Sequence, residues 1–301
     1  MKRWIIGIGL LLVAAYLAVL SVERHNLQLT ARYVKGFTPI PELNTFVETS
    51  PRLDLGVKKL PHAVLLLHGW SASPQEFEVL ITQLKAQGIP YYAPQLTGFG
   101  LDDLHLLRSI KTSDWLRDAI YSYDLLAAVA QEVSVVGHSN GGVLAIWIAQ
   151  HRPVKHLILS SPNLAVSKED KIYKTALRTP VIAQIIEFCL PVFAKPKRAL
   201  NPRLKQADTA SFRYPTLPIK SLVALWLLQD KADIDKANFQ DLTVLYGKFD
   251  QDVDIPAVLA GFDRQRIPYN AIGYQQAAHN LLQSKDRFNV SDDILEVLEE
   301  E

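Results

Sequence analysis

The chain has 301 residues, 49% of them hydrophobic, with 32 basic against 31 acidic side chains and a formal net charge of +1. That length buries a sizeable core, as one large domain or two smaller ones, and the balanced charge argues against a nucleic-acid binder, which needs a concentrated basic face. A single cysteine, Cys189, excludes an internal disulfide and leaves the compartment open; lying in an apolar run, it is expected to be a packed core thiol.

Lys2 and Arg3 precede an uncharged stretch from Trp4 to Leu20. As a helix, these 17 residues would span about 25 Å, the short end of what crosses a bilayer. The run exceeds the apolar core of a signal peptide, and Val19-Leu20-Ser21 is a weak cleavage site. Residues 1–22 are therefore expected to be a membrane anchor, with a cleaved signal as the alternative. The leading positive charges place the N-terminus in the cytoplasm and the remainder outside it; cleavage would make it a secreted protein.

Residues 21–60 read as a stalk followed by one or two edge strands, punctuated by Pro39, Pro41 and Pro51. Ala63 to Leu67 is a short uncharged run that fits a buried parallel strand. His68-Gly69-Trp70-Ser71 ends it. A helix is predicted from Pro74 to Ala86, with Ser73 as N-cap and Gly88 closing it. Tyr91 to Pro94 is the next strand, and Thr97-Gly98-Phe99-Gly100 a loop. Ser113 to Ala130 has helical spacing. Val135-Val136-Gly137-His138-Ser139-Asn140-Gly141-Gly142-Val143 follows: a β-branched strand, then G-x-S-x-G, then an apolar helix to about Gln150. That is the nucleophile elbow in its strand–turn–helix setting. Such a sharp turn lifts a serine hydroxyl clear of the backbone, where a base can take its proton.

A strand is predicted at Val154–Leu159. The strand–helix rhythm then stops, and residues 161–236 read as a mostly helical insertion without an obvious strand. Its apolar groups, Val181 to Phe193 and Leu222 to Leu228, are expected mostly to pack on each other and on the sheet. The basic run Lys195, Lys197, Arg198, Arg203 and Lys205 reads as a solvated loop. The sheet pattern resumes at Leu242–Tyr246, followed by a helix near Ile255–Gln265, a strand near Tyr269–Gly273 and a final acidic helix. This alternation predicts an α/β fold with a mostly parallel sheet covered on both faces.

Taken together, these motifs resemble the α/β-hydrolase family, nearest to serine esterases and monoacylglycerol-lipase-like members with a helical cap. The resemblance covers about residues 60–285. Besides the elbow it rests on Leu67-His68-Gly69-Trp70 with Ser73-Pro74-Gln75-Glu76, on Tyr92 to Gly100, and on the cap-like Phe212-Arg213-Tyr214-Pro215-Thr216-Leu217-Pro218. It implies a core of residues 23–160 and 237–301 with residues 161–236 as cap. It also implies the order nucleophile, acid, base. Ser139 is the candidate nucleophile. Asp250, after the next-to-last strand, is the candidate acid, with Asp252 and Asp254 close enough in sequence to remain alternatives. His279 is the candidate base, since no other histidine follows Asp250. The oxyanion donors would be the backbone N–H groups of Trp70 and Asn140, and the Trp70 ring would serve as a pocket wall. Asn140 departs from the apolar residue or glutamine common in relatives. His68 is expected beneath the oxyanion loop, and the histidines at 25, 62, 105, 151 and 156 at ordinary surface or edge positions.

The expected function is hydrolysis of carboxylic esters, acyl or lipid-like, through an acyl-enzyme. No cofactor is implied, and no metal-ligand spacing is visible. The expected partners are a small-molecule ester or lipid and a membrane, not nucleic acid; nothing in the sequence sets the oligomeric state. An amidase or aminopeptidase would need a carboxylate to hold a free amine, for which Glu169, Asp170 and Glu187 are candidates. An acyltransferase, or a binding protein on the same scaffold without turnover, are the other readings.

Overall fold

The computed structural model describes residues 2–56, 60–101, 103–167, 170–194 and 212–300. Glu169 and the basic run from Lys195 to Lys205 lie outside the described residues, as do the side chains of Asp170 and His105.

In chain order the elements are α1 (Lys2–Val34), β1 (Pro39–Ile40), β2 (Thr45–Phe46), β3 (Arg52–Asp54), β4 (Leu60–Leu67), α2 (Glu78–Gln87), β5 (Tyr91–Ala93), α3 (Thr112–Ala127), β6 (Ala130–His138), α4 (Asn140–Ala149) and β7 (Val154–Ser160). Then come α5 (Asp170–Leu177), α6 (Pro180–Cys189), β8 (Val192–Ala194), β9 (Thr216–Pro218), α7 (Ile219–Gln229), β10 (Phe239–Gly247), α8 (Ile255–Gln265), β11 (Asn270–Tyr274) and α9 (Arg287–Glu299).

Seven strands form one sheet in the order β11-β10-β7-β6-β4-β5-β3, parallel throughout except for β3 against β5. Period-two alternation splits the strand side chains between two cores. Leu65, Val135, Leu157 and Leu242 face α3 and α4, while Val64, Leu66, Val136 and Ile158 face α2 and α9. With both faces covered, these strands carry unbroken apolar runs. This is the mostly parallel sheet covered on both faces that the strand–helix rhythm predicts, and it fits the α/β-hydrolase architecture that the motif resemblance implies.

Several local expectations need correction. The helix after His68 begins as a 3-10 turn at Pro74–Phe77, and Ser73 makes no capping bond. Residues 21–34 are not a stalk but the second half of α1. Among the described residues no helix is long and apolar enough to cross a membrane, so the spanning segment expected within residues 1–22 finds no support there. The latter half of α1 carries Glu23, Arg24, Asn26 and Arg32. Among the described residues between β7 and β10, a short antiparallel ribbon, β8 with β9, accompanies α5, α6 and α7. The ribbon escaped sequence reading because each strand has three residues and β9 ends on Pro218. Cys189 is exposed, not a core thiol. It lies on α6, where no residue is buried and Val181 and Phe188 are 65% and 71% exposed; an apolar run is buried only where something covers it. On α7, by contrast, Leu225, Trp226 and Leu228 are buried as expected.

Candidate active site

The elements that matter end along one edge of the sheet. β4 ends at Leu67, paired with Gly137 on β6, and His138 pairs with Ser160 at the end of β7. The loops after β4, β6, β10 and β11 therefore emerge together at the C-terminal ends of the strands, where open α/β sheets bind ligands.

Ser139 joins β6 to α4 at φ 53°, ψ −110°. A non-glycine residue held there stores about 1–3 kcal/mol of strain and persists only where its surroundings over-determine it. Here its N–H donates to Ser160 O at 2.9 Å, and its C=O accepts from Gly142 N at 3.1 Å and Asn163 N at 3.0 Å. The turn also needs Gly141: a Cβ there would lie 1.8 Å from Leu67 O.

His279, on the loop after β11, brings Nε2 to 2.9 Å from Ser139 Oγ and Nδ1 to 2.9 Å from Asp250 Oδ2. The other oxygen of Asp250 accepts the backbone N–H groups of Asp252 at 2.9 Å and Val253 at 3.0 Å. A carboxylate held this way receives Nδ1–H, which leaves Nε2 as the acceptor for the serine proton. Burial opposes a charge on His279, but Asp250 outweighs it, with Asp252 adding to the field, and the ring titrates above the ordinary histidine value. Burial likewise opposes the charge on Asp250, yet His279 and the two amides hold it below the usual carboxylate value. Of the two alternatives, Asp252 is exposed, and Asp254 caps α8 by accepting from Ala257 N at 3.1 Å.

The loop after β4 lies against this line. A Cβ on Gly69 would approach Ser139 Cβ to 3.4 Å and His138 Cδ2 to 3.2 Å. Trp70 follows, its ring stacked on Phe193 of β8 at 6.3 Å between centroids. His68 is fully buried beneath the loop. Its Nε2 accepts Leu96 N–H at 3.1 Å, so its Nδ1–H donates to Gly69 O at 2.9 Å. Burial pushes this ring down to about 4, so it stays neutral. Asn140 begins α4 with its backbone N–H in the first helical turn, which has no intrahelical acceptor. Its side chain is wholly buried, and neither amide atom finds a hydrogen-bond partner among the described residues.

His138 and His156 depart from expectation or add to it. His138 packs its ring 5.2 Å from that of His279 and is kept neutral by burial and by the charges of His279 and Arg213. His156 is not at the surface: it is fully buried, 2.7 Å from Asp241. Residues that sequence reading missed also converge here. Glu76, wholly buried, accepts Gly69 N–H at 2.7 Å and Arg213 Nη2–H at 3.0 Å. The motifs containing both residues were visible, but nothing local connects positions 137 apart.

Residues 58–237 match the family model described as serine aminopeptidase, S33. The chain belongs to this family. Over 116 residues it is 27% identical to a carboxylesterase of Bacillus subtilis (strain 168), a match covering 38% of this chain and 47% of that protein. Over 93 residues it is 30% identical to a thermostable monoacylglycerol lipase of Bacillus sp. (strain H-257), covering 31% of this chain and 37% of the other. These matches span less than half the length of either relative. Among solved structures, one from a study of two metagenome-derived lipolytic enzymes superposes with a TM-score of 0.68 at 16% identity, over 85% of this chain and 100% of that one. A monoacylglycerol lipase of Paleococcus ferrophilus gives 0.60 at 17% identity, over 82% and 97%. At such identities the likeness is one of fold, and the fold is that of the α/β-hydrolases.

Proposed function

We propose that this family member is a serine hydrolase of carboxylic esters, with Ser139 as nucleophile, His279 as general base and acid, and Asp250 as the group that orients the imidazole. The observation that carries the reading is the unbroken hydrogen-bonded line from Asp250 through His279 to a serine held in strained backbone. Ser139 Oγ attacks the ester carbonyl carbon while His279 Nε2 takes its proton. The oxyanion is received by the N–H groups of Trp70 and Asn140. His279 then protonates the departing alkoxide, which leaves as the alcohol. Water, deprotonated by the same nitrogen, attacks the acyl-enzyme, and the acid departs with Ser139 restored.

Residues 161–236 serve as the cap in this reading. The Trp70–Phe193 stack beside the oxyanion loop and the apolar α7 favour an ester with a hydrocarbon acyl chain. The family's description favours an aminopeptidase as the second reading. Against it, Glu187 is already paired with Lys220 at 3.1 Å. A location outside the cytoplasm is proposed from the order of Lys2, Arg3 and the uncharged run alone; fractionation of cells expressing the full chain tests it.

The test is a panel of p-nitrophenyl esters of rising acyl length alongside aminoacyl amides. Hydrolysis of the esters, abolished in Ser139→Ala, is the expected result. Turnover of the amides alone would replace the esterase reading, acyl transfer to added alcohol without release of acid would indicate a transferase, and a folded but inert wild type would leave a binding protein.

A further inference from the structure

Three consecutive residues that lead into β9, within the segment between β7 and β10, grip the loop after β4. Phe212 N–H donates to Gln75 Oε1 at 2.9 Å, Arg213 Nη2–H to Glu76 Oε2 at 3.0 Å, and Tyr214 N–H to Ser71 O at 3.1 Å. Arg213 Nε–H also donates to Gln283 Oε1 at 3.2 Å, on the turn that follows His279. Its backbone N–H donates to the Tyr33 hydroxyl of α1 at 2.8 Å.

The gripped loop carries one oxyanion donor of the proposed reaction. The peptide unit entering Gly69 is held by its N–H to Glu76 Oε1 at 2.7 Å. The unit leaving Gly69 is held by its C=O, which accepts from His68 Nδ1 at 2.9 Å and Ala72 N at 3.2 Å. A trans peptide is planar, so fixing Gly69 O in one direction points Trp70 N–H in the opposite one. The Glu76 side chain has no exposure and lies 3.0 Å from Arg213, whose side chain is 22% exposed. A carboxylate buried this way is unfavourable without its cation, and losing the partner drives it to take up a proton or to move.

We propose that Arg213 is a positioning residue for the oxyanion hole: by holding Glu76 it fixes Gly69, and through Gly69 the backbone N–H of Trp70. This rests on the esterase reading above. The same residue joins α1 and the stretch leading into β9 to that donor, so both contribute to its alignment.

The experiment compares full-length wild type with Arg213→Met, Arg213→Lys, Glu76→Gln and the double variant Arg213→Met/Glu76→Gln on the best p-nitrophenyl ester. Misplacing a donor by about 1 Å costs on the order of 10–100-fold in kcat. Arg213→Met and Glu76→Gln are expected to lose about that much in kcat, with KM changed less than about threefold. Residues acting through one link are non-additive, so the double variant is expected to be no worse than the poorer single one. Arg213→Lys, which keeps a cation for Glu76, is expected to recover most of the loss.

A second readout separates this role from general support. Among the described residues, the charged and titratable groups facing His279 are Asp250, Asp252, Arg213 and His138, and Arg213 lowers the affinity of the imidazole for a proton. Removing the cation is expected to move the acid limb of kcat/KM to higher pH in Arg213→Met, and Arg213→Lys, which keeps a positive charge there, to leave it near the wild-type position. Wild-type kcat in folded Arg213→Met, a defect confined to KM, or additive losses would overturn the proposal while leaving the esterase reading intact. If Arg213→Met does not fold, Arg213→Lys and Glu76→Gln decide: a Glu76→Gln enzyme with wild-type kcat overturns it. An inert wild type would instead remove the reading on which it rests.

Discussion

Asp250 accepts backbone N–H groups from Asp252 and Val253 on one oxygen and His279 on the other. The carboxylate therefore arrives oriented, and the histidine tautomer follows from it. In the proposed mechanism His279 must be neutral to act as base, and its value is raised above the ordinary 6.5. Activity should accordingly rise with pH through a midpoint above 6.5 in a kcat/KM profile; a midpoint below that value would contradict the assignment. Asp250→Asn keeps the shape but removes the charge and the tautomer control, so kcat is expected to fall by about 10⁴-fold. Its residual activity should titrate at lower pH, because burial then acts on His279 without Asp250 to oppose it. At this scale the sequence was most legible. Gly-x-Ser-x-Gly and the last histidine are local or positional signals. The choice among Asp250, Asp252 and Asp254 was not, since it turns on which carboxylate points inward and which caps α8.

At the scale of elements, α1 docks through Glu23, Asn26, Thr30 and Tyr33, which recur at helical spacing and share one face. Glu23 pairs with Arg108, Asn26 Nδ2–H donates to Val192 O at 2.8 Å, and Thr30 lies 2.5 Å from Thr216 between hydroxyls. At the end of α1, Tyr33, Phe37, Phe46 and Tyr214 surround Phe212 with ring centroids 4.9–5.9 Å away. Phe212 is fully buried. Truncation of such a ring costs about 3–5 kcal/mol, and Phe212→Ala is expected to lower the unfolding free energy in urea by that amount. A loss under about 1 kcal/mol would mean that α1 holds without the cluster. These contacts were illegible because they join polar side chains of α1 to a ribbon too short to carry a pattern. The apolar stripe of α6 was misread for the converse reason, since composition reports the tendency to be buried and not whether a neighbour exists.

Across the whole molecule, the parallel sheet was the legible part. Its central strands are apolar runs buried on both faces, and α2 between them is closed by Gly88. What stayed hidden was the polar framework under the site, which joins distant positions through buried groups. Two histidines, His68 buried under the site and His62 near the start of β4, have a consequence for stability. His68 and His62 are both pushed down to about 4, chiefly by burial, while in the unfolded chain they titrate near 6.5. Between these values the unfolded state binds more protons than the folded one, so stability falls as pH falls from 6.5 toward 4. Each such histidine contributes on the order of 3 kcal/mol to that loss. The urea midpoint should drop between pH 7 and about 4.5, and the drop should be smaller in His62→Gln. An identical drop in that variant would show that other groups control the acid limb of stability.

The most direct test of the account is to treat the folded full-length protein with a fluorophosphonate and locate the adduct by mass spectrometry. The account predicts a single phosphonyl group on the peptide containing Ser139, absent from Ser139→Ala and strongly slowed in His279→Ala. A folded wild type that takes up no label, or takes it on another residue while Ser139→Ala labels equally well, would contradict it.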